Sequence, residues 1–79
     1  MELELDRELG LAYLRRSREA VAKTVEVSTT INVDIDRNGI LVGVELLDLT
    51  RPLPEDDLVE KFGVESEEMR LLQSLIRAA

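Results

Sequence analysis

Cysteine, histidine and tryptophan are absent from this 79-residue chain, and its only aromatic side chains are Tyr13 and Phe62. Without cysteine there is no disulfide framework and no thiolate metal site. Without histidine the commonest zinc ligand and the commonest general base near neutral pH are missing too. Two isolated aromatics cannot build a stacking platform for bases. Basic residues are also in deficit: 10 Lys and Arg against 17 Asp and Glu leave a formal charge of −7. That balance opposes nonspecific contact with nucleic acid or anionic lipid and favours a basic protein partner. No apolar run approaches the roughly 18 residues of a membrane span, and the charged opening MELELDRELG does not resemble a signal peptide. A soluble, cytoplasmic protein is expected.

The same absences bear on catalysis. Ser17, Ser28, Ser66 and Ser74 are the candidate serine nucleophiles, but none sits in a Gly-x-Ser-x-Gly elbow and no histidine exists to activate one. Gly10, Gly39, Gly43 and Gly63 are scattered and form no phosphate-binding loop. The expectation is a protein that is not an enzyme, with no catalytic residues and no cofactor.

What is present divides into two textures within one small domain. Residues 1–50 alternate apolar and polar side chains and are rich in β-branched residues, which predicts short strands near 2–5, 11–16, 21–27, 31–36 and 40–47. Residues 51–79 lose that alternation after Arg51-Pro52-Leu53-Pro54 and predict two helices, near 54–61 and 67–78. Pro54 with Glu55, Asp56 and Asp57 suits the first helix start, Gly63 suits its end, and Ser66 is the expected cap of the second. The fold class is therefore α+β: an antiparallel β-meander of four or five strands followed by two short C-terminal helices. The cluster Arg15, Arg16, Arg18 and Lys23 reads as a solvated tip or a charged sheet edge.

Residues 34–45, DIDRNGILVGVE, match the calcium-loop pattern of an EF-hand, with Asp34, Asp36, Asn38, Gly39 and Glu45 in the ligand and turn positions. The flanks read as strands, however, and not as the helices such a loop requires. A two-residue turn at Asn38-Gly39 would pair Ile35 with Val42, Val33 with Val44 and Ile31 with Leu46, matching apolar faces throughout. Asp34, Asp36, Asn38 and Glu45 thus become ligands for a weak divalent-cation site at most. The tail LVEKFGVESEEMRLL has helix-turn-helix spacing, but its second helix opens on Glu65-Ser66-Glu67-Glu68, which would repel phosphate, so nucleic acid is not an expected partner.

Residues 5–48 carry LDRELGLAYL, VAKTVEV and INVDIDRNGILVGVELLD, and this text resembles the prokaryotic domain-of-unknown-function family 2283. That family has a Leu-Tyr-Ile strand, a Val-Ala-x-Thr-x-Glu strand and a Val-Asp-x-Asp-x-x-Gly-x-x-Val-Gly-Ile-Glu hairpin. The chain departs from it at Leu5 and Gly10. The resemblance implies a β-rich fold with no assigned activity, and the occurrence of members beside genes for small toxin-like proteins implies an antitoxin-like or accessory role.

The leading expectation is a noncatalytic protein-interaction module with a basic partner, and the alternative is the weak cation-binding module. Met69, Leu72, Leu75, Ile76 and Ala79 form a stripe on the last helix, and Ala12, Leu14, Ala22, Leu41 and Leu47 interrupt the second sheet face. A homo-oligomer is expected, with Leu41, Leu47, Met69, Leu72 and Ile76 as its contacts.

Overall fold

The computed structural model describes residues 1–78; Ala79 lies outside the described residues. Five strands, β1 (Glu2–Asp6), β2 (Leu11–Arg15), β3 (Lys23–Ser28), β4 (Ile31–Ile35) and β5 (Leu41–Leu46), precede two helices, α1 (Glu55–Phe62) and α2 (Ser66–Ala78). The α+β class, the antiparallel sheet and the two C-terminal helices are as the sequence predicts.

The strand order is β1-β2-β5-β4-β3, with every neighbouring pair antiparallel. β3, β4 and β5 are a meander, and β2 returns to lie beside β5, so these four strands form a Greek key to which β1 adds as a hairpin. The connection from β2 to β3 must therefore cross the ends of β5 and β4. It is tied there by backbone bonds from Arg16 to the Val42 carbonyl at 2.7 Å and from Ala22 to the Ile35 carbonyl at 2.9 Å.

Register explains the core. Directly opposed residues of an antiparallel pair share a face, so the pairing builds continuous rows across the sheet. One row runs Leu3, Leu14, Val44, Val33, Val25, and a second runs Leu5, Ala12, Leu46, Ile31. Helices α1 and α2 cover the middle of these rows with Leu58, Met69, Leu72 and Leu75, and the turn between them adds Val64. Ala12 and Leu14 consequently face the core, whereas the sequence alone placed them on the second face.

The β4–β5 hairpin corrects one detail of the expected register. Val33 pairs Val44 and Ile31 pairs Leu46 as anticipated, but Ile35 pairs Leu41 and not Val42. The turn is not type I′, which needs positive φ at both central residues, because Gly39 has φ 79° and among the described residues no non-glycine has positive φ. Instead Asp36 N–H bonds the Ile40 carbonyl at 2.9 Å, and Gly39 N–H returns to the Asp36 carbonyl at 3.0 Å, making a three-residue loop. The Asp36 carboxylate holds it by accepting from the N–H groups of Asn38 (2.8 Å) and Ile40 (2.9 Å). A loop of this length would put the apolar faces out of step. A β-bulge restores them, with Val42 as the extra residue between the Asp34–Gly43 and Ile35–Leu41 pairs.

α1 ends as expected, with Gly63 left-handed (φ 67°) and its N–H bonded to the Val59 carbonyl. α2 begins one residue earlier than expected. Met69 N–H bonds the Glu65 carbonyl at 2.8 Å, and the Glu68 carboxylate reaches back to Glu65 N–H at 2.9 Å. Glu65 is the cap residue and Glu68 supplies the returning half of a capping box, so Ser66 is already helical.

Candidate functional site

The outer sheet face is polar and internally bonded. Tyr13 on β2 lies across Gly43 on β5, where an added Cβ would sit 2.1 Å from the phenol oxygen, and donates to the Asp34 carboxylate on β4 at 2.7 Å. The Thr24 hydroxyl donates to the other oxygen of Asp34 at 2.6 Å, Asn32 donates to Glu45 at 3.1 Å, and the Arg15 guanidinium stands 5.1 Å from the Tyr13 ring centre. Partial burial first, and then the bond to the Asp34 carboxylate, push the Tyr13 phenol up to about 12. Folding thus favours the protonated phenol; this contribution to stability is complete below the ordinary phenol range and disappears as pH rises through about 12. Tyr13 is the only tyrosine and tryptophan is absent, so absorbance titration reads this group alone. Asp34→Asn is expected to move its alkaline midpoint toward the ordinary range, whereas an unchanged midpoint would show that the hydrogen bond contributes nothing.

This geometry also places the candidate cation ligands. Asp34 is engaged by Tyr13 and Thr24, Glu45 by Asn32, and Asp36 by its own turn, in which Asn38 contributes a backbone N–H. β4 and β5 flank the string where an EF-hand would have helices. Among the described residues, no three acidic side chains converge in an arrangement suited to a metal ion.

The expected interface residues are redistributed. Leu41, Met69 and Leu72 are buried within the chain at 3%, 9% and 0% exposure and offer no surface to a second copy. Leu41 faces inward because the bulge sets it opposite Ile35; Met69 and Leu72 pack down onto the sheet. Ile76 is half-buried, and Leu47 remains exposed.

Arg16 is likewise not a solvated tip. Its guanidinium makes a two-pronged contact with Glu68, at 2.8 Å from Nε and 2.6 Å from Nη2, and Nη2 also donates to the Gly63 carbonyl at 2.8 Å. The hydrogen bond from Arg16, opposed by desolvation, holds the Glu68 carboxyl below the usual glutamate range. This clamp joins the sheet to the α1–α2 turn. No local sequence signal links two residues 52 positions apart, though the excess of charge at the α2 start was visible.

The exposed apolar surface lies elsewhere. Both core rows run past the helix layer onto β1, where Leu3 and Leu5 are 43% and 37% exposed although their partners Leu14 and Ala12 are buried. Leu5, Leu9, Leu47, Leu49 and Leu75 line one cleft of about 480 Å³, with Arg7 and Asp48 at its rim. On its other face β1 presents Glu2, Glu4 and Asp6. Glu2 pairs with Arg18, whereas among the described residues Glu4, Asp6 and Glu45 make no ion pair. Sequence reasoning missed this rim, although the alternation ELELD was the signal for it.

The fold and rim define a small antiparallel α+β domain whose sheet continues beyond its helical cover. The chain belongs to the family described as "Protein of unknown function (DUF2283)", whose model matches residues 3–49, more than half of its length. The match spans β1 to β5 and stops before the helices. No curated protein and no solved structure matches the chain. Among the described residues no helix is long and apolar enough to cross a membrane.

Proposed function

We propose that this protein is a cytoplasmic, noncatalytic interaction module that receives a basic protein partner at the β1 rim, as an antitoxin-like or accessory subunit. One observation carries the reading: the two leucine-bearing rows of the core continue onto β1, where Leu3 and Leu5 stay more than a third exposed. An exposed, contiguous apolar strip rimmed by charge is the surface pattern of an interaction site. The formal charge of −7 selects for a positively charged partner and speeds its encounter.

The test compares the wild-type protein with a Leu5→Glu, Leu47→Glu double variant as bait in extract from its own cell. Both side chains are more than a third exposed, so the fold is expected to survive. The expected result is one basic protein retained by the wild type and reduced at least tenfold by the variant. Equal retention by both baits, or no specific retention by either, would overturn the reading.

A further inference from the structure

Resting on that reading, we propose that the partner engages by strand addition: an extended segment alternating basic and apolar residues pairs with the free edge of β1 and continues the sheet. Among the described residues β1 is hydrogen-bonded only to β2, so half of its N–H and C=O groups point away from the sheet and are free to pair. Strand addition uses those groups for affinity and the alternating side chains for specificity.

The two faces of β1 specify the pattern. Leu3 and Leu5 lie on the core side, beside the cleft lined by Leu9, Leu47 and Leu75, and would receive apolar side chains of an added strand. Glu4 and Asp6 lie on the outer side, next to Glu45 across the shallow groove over Tyr13, and would oppose its basic side chains. A second copy does not fit. Keeping the leucines of two β1 strands on one face sets Glu2, Glu4 and Asp6 against the same residues of the copy, and directly opposed like charges are destabilising. The other edge differs, because β3 carries Lys23 and a register shift between Glu26 and Ser28 that blunts strand addition.

The probe is a labelled peptide, Lys-Val-Lys-Val-Lys-Val-Lys, titrated into the full chain by fluorescence anisotropy and amide NMR. Saturable one-to-one binding is expected, with amide shifts centred on residues 2–6. A peptide of the same composition in block order, and wild-type peptide with a Glu4→Lys, Asp6→Lys variant, should each bind at least tenfold more weakly. Backbone N-methylation supplies the decisive comparison. Methyl groups on alternate residues in one phase should abolish binding, and in the other phase should change it less than twofold, because only one phase faces β1. Equal effects of the two phases, equal binding of the block peptide, shifts centred on β3 or no binding at millimolar peptide would each overturn strand addition. Loss of the cellular partner from the Leu5→Glu, Leu47→Glu bait would still uphold the interaction reading in those cases, so the two failures are distinguishable.

Discussion

Val33→Asp is expected to abolish cooperative unfolding and leave a chain without fixed tertiary structure by near-ultraviolet and amide NMR spectra. Val33 has no exposed surface and sits fourth in the row Leu3, Leu14, Val44, Val33, Val25, beneath the helix layer. The only charged residue buried among those described is Glu68, so the row offers no cation to pair with a new carboxylate. An uncompensated buried charge costs several kcal/mol, and losing the valine adds about 1.5 kcal/mol of apolar burial. A domain of this length has a total stability of about 4–12 kcal/mol. Val59→Asp is the control: Val59 is 49% exposed on α1, and its variant should melt close to the wild type. A Val33→Asp protein with an unchanged melting midpoint would refute the face assignment.

Glu68→Ala should cost about 2–3 kcal/mol, read as a lower urea midpoint with an unchanged slope. The carboxylate accepts from two guanidinium nitrogens of Arg16 and from Glu65 N–H, so its removal leaves a half-buried cation and uncaps α2 together. Arg16 keeps a quarter of its side chain in water, which places the effect below that of a fully buried pair. Glu68→Gln separates charge from packing. Because folding lowers the Glu68 pKa, the stabilisation is present above the ordinary glutamate range and is lost as pH falls through the lowered folded value. The wild type should therefore lose its advantage over Glu68→Gln on acidification; a constant difference across that window would contradict the ion-pair assignment.

The contrast between these residues shows what local sequence can and cannot specify. Ile31, Val33 and Ile35 announce a strand with one buried face through strict alternation, and Val44 and Leu46 answer it in register. Asn38-Gly39 announces a turn but not its length, because the Asp36 carboxylate captures two backbone N–H groups and draws in a third loop residue. The compensating bulge lies where the Val42 carbonyl accepts from Arg16 and Ser17, an arrangement set by the crossing connection and invisible in the hairpin itself. The facing of Ala12 and Leu14 escapes the sequence for the same reason: it depends on pairing with Leu46 and Val44 of β5, distant in the chain. The broad apolar stripe of α2 suggests surface to spare for a second copy, but the chain's own core takes up Met69, Leu72 and Leu75. The exposed apolar surface instead falls on β1, where only the sheet order reveals that Leu3 and Leu5 lie at the edge of the covered rows.

Amide hydrogen exchange on the complex with the recovered cellular partner tests the β1 rim most directly. Exchange at residues 2–6 should slow at least tenfold on binding, while residues 23–28 of β3 and the α1–α2 turn keep their free-state rates. Slowed exchange in β3 or the helices, with β1 exchanging as in the free protein, would contradict the assignment of the site.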